Sequence, residues 1–179
     1  MSKEDNHPGN EHISFDEEKL KIFFIEHLDK IYCAKLHLIT RLPKLLEQAY
    51  YSDLKSAIVE TVDHVEQEIS RMEMMYTILE ANYSDCDSKG LNGLIEDAYI
   101  AIQKQGPDRE LRDLSILFYL QNIESVEMAS FQILQIAAVK LKNKQIASLL
   151  KENYEEAKAD RTLFLLISSK YITTTPNKE

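Results

Sequence analysis

The stretch LFYLQNIESVEMASFQILQIAAV, residues 117–139, decides the fold of this chain. Only Glu124 and Glu127 carry a formal charge in it, although 28% of all residues are charged. Apolar residues recur at steps of three and four, which predicts a helix that is apolar almost all round. Glu124 shares a face with Leu117 and Phe131, while Glu127 lies on a neighbouring apolar stripe. We therefore expect both carboxylates to be buried, where each must be paired, protonated or bound to a metal ion. The alternative is a pair of exposed acids on one flank of the helix.

The same periodicity predicts further helices on both sides of this stretch. Long helices are expected at about 16–48, 54–80, 108–141 and 145–171, with a short helix at 91–103. Two helical hairpins joined by a longer crossover make an all-α, ferritin-like antiparallel four-helix bundle, with the short helix in the crossover between the second and third long helices.

Several local signals predict where these helices begin, end or bend. Ser14 or Asp16 is a suitable N-cap for the first long helix, and Ser52 or Asp53 for the second. Asp108 is expected to begin the third. Proline inside a helix removes a hydrogen bond, so Pro43 predicts a kink or a break.

The two ends of the chain differ in composition from the bundle. Residues 1–14 are polar and lack the apolar core of a signal peptide, which predicts a disordered leader. The predicted bundle covers 15–172, and 173–179 are expected to form a disordered tail.

Composition excludes several classes of partner. The net charge of -9 and the lack of a clustered basic face argue against nucleic-acid binding. Polar residues interrupt the longest apolar stretch, so no membrane span is expected. The two cysteines, Cys33 and Cys86, lack metal-binding spacing and do not suggest a disulfide framework. A cytoplasmic location is the simplest expectation.

Other acidic and histidine residues fall near apolar stripes. The second long helix carries Glu60, His64 and Glu68 in steps of four, and the fourth places Glu156 and Asp160 on an apolar phase. Such groups hold iron or manganese in the core of di-metal bundles. The alternatives are a solvent-side histidine and a solvated acidic face around Glu156.

Five runs resemble the YciE/YciF ferritin-like family of bacteria and cover roughly residues 20–170 in order. They are IYCAKLHLITRLPKLL, LKSAIVETVDHVEQEISRMEMM, GLIEDAY, LRDLSILFYLQNIESVEMASF and LLKENYEEAKADRTL. The resemblance implies a di-metal centre of carboxylates and histidines, a homodimer and a link to bacterial stress responses.

Carried over by residue, the family's metal-binding pattern is incomplete in this chain. Its glutamate on the first helix falls on Lys35, and its histidine on the third long helix is lost between Glu124 and Glu127. The resemblance leaves Glu124, Glu127, Glu156 and His64 as the implied metal ligands.

Two hypotheses follow from the lysine at this position. In the first, the di-metal site is degenerate, Lys35 neutralises the remaining acids, and the protein is structural or binds a partner. In the second, Lys35 turns aside and the four remaining groups bind one ion of iron, manganese or zinc, with residual ferroxidase-like or oxidative-stress activity. No catalytic residue is assigned, and the sequence leaves enzymatic activity open.

Overall fold

The computed structural model describes residues 15–84 and 89–174. Within these ranges the chain forms helices and no strands. The helices are α1 (Glu17–Gln48), α2 (Ser52–Leu79), α3 (Lys89–Gln103), α4 (Arg109–Lys140) and α5 (Lys144–Thr173). Helices α1, α2, α4 and α5 form the bundle, and α3 packs on α1 and α4. The predicted all-α four-helix bundle with a short crossover helix is confirmed.

Side-chain caps begin three of the four bundle helices. Asp16 accepts a hydrogen bond from Lys19 N at 2.8 Å, and Asp108 accepts one from Leu111 N at 3.0 Å. Asn143 caps α5 in the same way. Each cap satisfies a backbone N–H that has no partner within its helix, which is why the predicted start at Asp108 is correct.

The start of α2 differs from the prediction. Its N-cap is Tyr51, whose side chain makes no capping bond, so Ser52 and Asp53 lie inside the first turn. The backbone just before α2 is instead held by a residue that is distant in sequence. The buried carboxylate of Asp113 accepts hydrogen bonds from the N–H groups of Tyr50 and Tyr51 at 2.8–3.0 Å.

Two other boundaries bear on the predictions. Helix α1 continues through Pro43, so the helix has no break there, and the buried Leu42 and Leu45 on either side keep its last turns packed on the core. Helix α5 extends through Thr173, so the predicted tail begins inside its last turn. The predicted leader, 1–14, and the rest of the tail, 175–179, lie outside the described residues.

Buried apolar side chains form two clusters, one towards each end of the bundle. One cluster includes Leu38, Ile58 and Phe164, and the other includes Phe24, Met72 and Phe131. Each bundle helix also carries a buried charged residue close to the junction of its two cluster segments; these residues are Lys35, Glu68, Glu124, Glu127 and Asp160. The centre of the bundle is therefore polar, with apolar packing above and below it.

Cys33 corrects an expectation from the sequence. It is disulfide-bonded in the structure. The side chain of Asn92 on α3 also contacts its sulfur at 3.5 Å. The only other cysteine in the sequence, Cys86, lies outside the described residues.

Candidate functional site

A fully buried lysine lies at the polar centre of the bundle. Lys35 on α1 is 0% exposed. Its ammonium donates a hydrogen bond to Glu127 Oε2 on α4 at 2.5 Å and forms an ion pair with Glu68 Oε2 on α2. Glu124 lies one turn before Glu127 and is also buried. We call Lys35, Glu68, Glu124 and Glu127 the charge centre.

The lysine is held in its charged form. Burial alone would lower its pKa, but the negative charges of Glu127, Glu68 and Glu124 outweigh burial and raise the pKa of Lys35. An ammonium without such partners would be neutral at this depth. The positive charge is therefore a permanent part of the core.

The pKa values of two carboxyls are also raised, which for an acid favours the neutral form. Burial raises the pKa of Glu68 to about 8, despite the opposing effect of Lys35. Burial and the neighbouring Glu127 raise the pKa of Glu124 well above its ordinary value. Both carboxyls therefore keep a proton to higher pH than an ordinary glutamate does. The hydrogen bond from the Lys35 ammonium goes to Glu127 Oε2.

Glu124 has the least support within the centre. Both of its carboxyl oxygens are buried and receive no hydrogen bond from the described part of the chain, and the same is true of Glu127 Oε1. A buried carboxylate without hydrogen bonds is costly, whereas a neutral carboxyl is less so. This geometry agrees with the raised pKa of Glu124.

His64 is held by a buried acid next to the charge centre. Its Nδ1 lies 2.8 Å from Asp160 Oδ1 on α5, and Asp160 is 2% exposed. Burial lowers the pKa of His64, but the charge and hydrogen bond of Asp160, together with the charges of Glu156 and Glu60, raise the pKa overall. Burial raises the pKa of Asp160. The histidine is therefore engaged on α5 and does not contact Lys35 or its partners.

Glu156 belongs to a separate contact at the surface of the bundle. Its two oxygens accept hydrogen bonds from Arg71 on α2 at 2.5 and 2.6 Å. Arg71 also donates to Asn153 at 3.1 Å. Such bidentate pairing of a carboxylate with a guanidinium is among the stronger charge-assisted arrangements. Both oxygens of Glu156 are therefore occupied by hydrogen bonds from Arg71.

The structure thus brings together only part of the predicted site. Glu124 and Glu127 lie with Lys35, whereas His64 and Glu156 have other partners. Among the described residues, no three His, Cys, Asp or Glu side chains are arranged to hold a metal ion. Metal binding stays a prediction.

Sequence reasoning left Glu68 out of the site. The buried stripe of α2 runs through Thr61, Val65, Glu68 and Met72, so Glu68 lies on the stripe itself rather than near it. A heptad count from Leu54 would have found Glu68, because steps of four, three, four and three from that leucine reach it.

The fold and this centre define a class: a helical bundle of ferritin-like topology with a lysine among its core carboxylates. The chain belongs to the family described as "Domain of unknown function (DUF892)", whose model matches residues 19–173. It is 30% identical to protein YciF of Escherichia coli K12 over 138 residues, which are 76% of this chain and 82% of that protein.

Solved structures agree with this assignment. The crystal structure of the stress protein YciF from E. coli matches with a TM-score of 0.82 and 24% identity, covering 87% of this chain and 98% of that one. YcfI from Rhodopseudomonas palustris, described as a proposed structural protein, matches with a TM-score of 0.77 and 25% identity over 92% and 99% of the two chains. A Xanthomonas campestris protein shares the fold at 12% identity, with a TM-score of 0.67 and coverage of 86% and 93%.

None of the helices in 15–84 and 89–174 combines the length and the apolarity that crossing a membrane requires.

Proposed function

We propose that this chain is a structural protein of the YciF-like family in which a lysine ammonium, rather than a metal ion, neutralises the buried carboxylates. The observation that carries the proposal is the position of Lys35, fully buried and in contact with Glu68 and Glu127. The resemblance to ferritin-like proteins implies cations among such acids. Here the covalent chain supplies one.

The chemistry of the donor groups supports this reading. An ammonium has three hydrogens to donate and no lone pair, so it cannot ligate a metal. It lies against the carboxylate oxygens that a metal would need. Burial raises the pKa of Glu68 to about 8 and raises that of Glu124 as well, and a carboxyl that keeps its proton is a poor ligand for hard cations. The residues present therefore do not fit a di-metal centre.

The descriptions of two relatives support a structural role. YciF is described as a stress protein and YcfI as a proposed structural protein. A bundle whose core charge does not depend on metal supply would keep its shape when metal is scarce. We infer that the chain acts in bacterial stress responses as a rigid helical module that binds a protein partner.

A second function is favoured by one specific observation. Both oxygens of Glu124 and Oε1 of Glu127 are buried without a hydrogen bond from the described chain. If Lys35 turned away, these buried oxygens would be available to bind a single iron or manganese ion. This is the metal-binding alternative, with residual ferroxidase-like or oxidative-stress activity.

Metal content distinguishes the two functions. The protein is incubated anaerobically with ferrous iron, freed of excess and analysed for bound metal. Wild type is compared with Lys35→Glu, which restores an acid at this position. Lys158→Glu is the matched control, because Lys158 is an exposed lysine of α5 and the substitution changes net charge equally.

The proposal expects no retained iron in wild type or in Lys158→Glu, and retained iron in Lys35→Glu. If Lys35→Glu does not fold, Lys35→Gln is used instead, because the amide oxygen of glutamine can still ligate iron. Iron retained by wild type and lost in Glu124→Gln would overturn the proposal and establish the alternative. A folded Lys35 variant that binds no iron would refute the claim that the lysine stands in for a metal.

The compartment stays a prediction from the sequence. Cys33 is disulfide-bonded, and disulfides are rare in the reducing cytoplasm. This bond therefore counts against the expected cytoplasmic location. Thiol titration of protein isolated under acid quench tests this point.

A further inference from the structure

Three tyrosine rings meet where α1, α2 and the segment just after α2 come together. Tyr32 on α1 and Tyr76 on α2 are buried, and Tyr83, shortly beyond the end of α2, is half-buried. The ring centroids of Tyr32 and Tyr83 are 4.8 Å apart, those of Tyr32 and Tyr76 are 5.6 Å apart, and those of Tyr76 and Tyr83 are 6.4 Å apart. Each pair makes the edge-to-face contact that aromatic rings favour. We call these three residues the tyrosine cluster.

Both buried phenols of the cluster donate a hydrogen bond to a carboxylate. The hydroxyl of Tyr76 donates to Asp29 Oδ1 at 2.6 Å, and the hydroxyl of Tyr32 donates to Glu73 Oε1 at 2.9 Å. The other oxygen of Asp29 accepts a hydrogen bond from Ser84 Oγ at 2.5 Å. Because both oxygens of Asp29 accept, its hydrogen bonds are those of an ionised carboxylate. Each buried phenol therefore has a proton acceptor already in place.

The ease with which a phenol loses one electron depends on where its proton goes. A phenol that loses only an electron becomes a radical cation, which is a very strong acid, so oxidation is easier when a base takes the proton in the same step. Burial and the bond to Asp29 raise the pKa of Tyr76, and burial and the bond to Glu73 raise the pKa of Tyr32 to about 12. Near neutral pH both phenols therefore carry a proton, and the bonded carboxylates are the groups that can accept it.

A second pair of contacting tyrosines, at the opposite end of α2, is less suited to this chemistry. The rings of Tyr51 and Tyr171 have centroids 4.6 Å apart, and the hydroxyl of Tyr171 donates to Asp53. The ammonium of Lys170 also binds Asp53, at 2.7 Å, and a carboxylate paired with a cation is a weaker proton acceptor. The hydrogen bonds of Asp29 come from neutral hydroxyls instead, so Asp29 is the stronger base of the two.

We propose that the tyrosine cluster is a one-electron oxidation site, which takes up oxidising equivalents from small one-electron oxidants such as inorganic radicals and holds them as a radical at Tyr76. An electron passes from Tyr76 through the contacting ring of Tyr83, which is the more exposed ring, to an oxidant at the surface. The O–H bond of Tyr76 breaks in the same step, and its proton goes to Asp29 Oδ1. The products are a neutral tyrosyl radical, a neutral Asp29 carboxyl and an oxidant reduced by one electron.

The same contacts allow the phenol to be restored. A reductant of the ascorbate or thiol class returns one electron through the rings, and Asp29 returns the proton, so the O–H bond of Tyr76 forms again. Burial of Tyr76 meanwhile keeps its radical from coupling to a radical on another chain, which is the usual fate of exposed tyrosyl radicals. This activity goes beyond the structural role proposed above, and it requires neither a metal ion nor the charge centre.

The position of the radical is tested by generating the oxidant with light. The full chain is irradiated with tris(bipyridine)ruthenium(II) and persulfate, frozen, and measured by electron paramagnetic resonance. Fluorotyrosine in place of Tyr76 keeps the ring and its hydrogen bond, and it adds a fluorine splitting to the spectrum when the radical lies on that ring. Fluorotyrosine in place of Tyr119 is the matched control, because Tyr119 is half-buried on α4 and packs against Phe118. The splitting should appear for the label at Tyr76 and be absent for the label at Tyr119.

The role of Asp29 is tested by the rate of radical formation after a laser flash. Asp29→Asn keeps an oxygen that accepts the hydrogen bond but is not basic, so the rate should fall by about 100-fold, the lower end of what a positioned proton acceptor contributes. Tyr119→Phe should leave the rate unchanged, and circular dichroism confirms that both variants are folded. If Asp29→Asn does not fold, the wild-type rate in heavy water is measured instead, and it should fall because the proton moves with the electron.

Several outcomes would overturn the proposal. They are a wild type that forms no tyrosyl radical, a fluorine splitting from the label at Tyr119 rather than at Tyr76, an Asp29→Asn variant that forms the radical at the wild-type rate, and a wild-type rate that heavy water does not change. The assay contains no iron, so its failure is distinguishable from failure of the metal test above.

Discussion

Replacing Lys35 with methionine should destabilise the protein strongly at neutral pH and weakly in mild acid. Methionine fills a similar volume without a charge, so the main loss is the positive partner of Glu127. Breaking a buried ion pair from one side leaves an uncompensated charge, typically at a cost of about 3–5 kcal/mol. In this variant the buried Glu127 carboxylate avoids most of that cost by taking up a proton.

The cost of that proton follows from the ordinary glutamate pKa of 4.5. In the unfolded chain the carboxyl is ionised at pH 7, so protonating it in the folded state costs about 1.4 kcal/mol for each pH unit above its ordinary pKa. The loss is therefore about 3 kcal/mol at pH 7 and less than about 1 kcal/mol at pH 5. For a chain of this size, the loss at pH 7 corresponds to a fall in Tm of roughly 6–12 °C.

Urea unfolding followed by circular dichroism measures this difference at the two pH values. The matched control is the double variant Lys35→Met with Glu127→Gln, which removes both members of the hydrogen-bonded pair. Replacing a whole buried ion pair with neutral groups is often close to neutral in stability. We expect the double variant to recover most of the loss at pH 7.

The reasoning is refuted if Lys35→Met is as stable as wild type at pH 7, because the ion pair then contributes nothing. An equal loss at pH 5 and pH 7 would mean that the defect lies in packing rather than in charge. A double variant no more stable than Lys35→Met would show that Glu127 is not the group left uncompensated.

Two further predictions concern the carboxyls. Glu68 has a pKa of about 8 in the folded state and 4.5 ordinarily, so the folded protein binds more protons between these values. Its contribution to stability is complete below pH 4.5 and is lost as pH rises through 8, by up to about 5 kcal/mol. Urea unfolding from pH 5 to 9 should show this fall, and Glu68→Gln should flatten it; an unchanged slope contradicts the assignment. Asp113→Ala should cost about 2 kcal/mol, because the N–H groups of Tyr50 and Tyr51 lose their acceptor. Asp113→Asn, which keeps an oxygen, should recover part of that loss, and amide hydrogen exchange at Tyr50 and Tyr51 should quicken in the alanine variant alone.

Local sequence signals predicted the helices well because their causes lie within a few residues. The caps at Asp16 and Asp108 bind N–H groups three residues away. The start of α2 was harder, since Asp113, which holds the backbone at Tyr51, lies 62 residues further along the chain. Pro43 was expected to kink or break α1, and the helix continues through it because its buried neighbours keep the last turns packed on the core.

The candidate site was predicted only in part, for the same reason. Glu124 and Glu127 lie among apolar residues of their own helix, so the sequence predicted their burial, and the structure buries both. The partner of Glu156 was not evident, because Arg71 lies 85 residues away on another helix. Glu68 was expected near the apolar stripe of α2, whereas the structure buries it on that stripe.

By itself, the sequence determined an all-α bundle, its helix order and a pair of acids in an apolar helix. Helical periodicity and capping act over one or two turns, so they can be read along one segment. Only the tertiary structure decided that Lys35 meets Glu68 and Glu127, that His64 turns to Asp160 and that Glu156 turns to Arg71. Those choices depend on the rotation and height of one helix against the next, which shift a side chain by several ångströms without changing the pattern of any single helix.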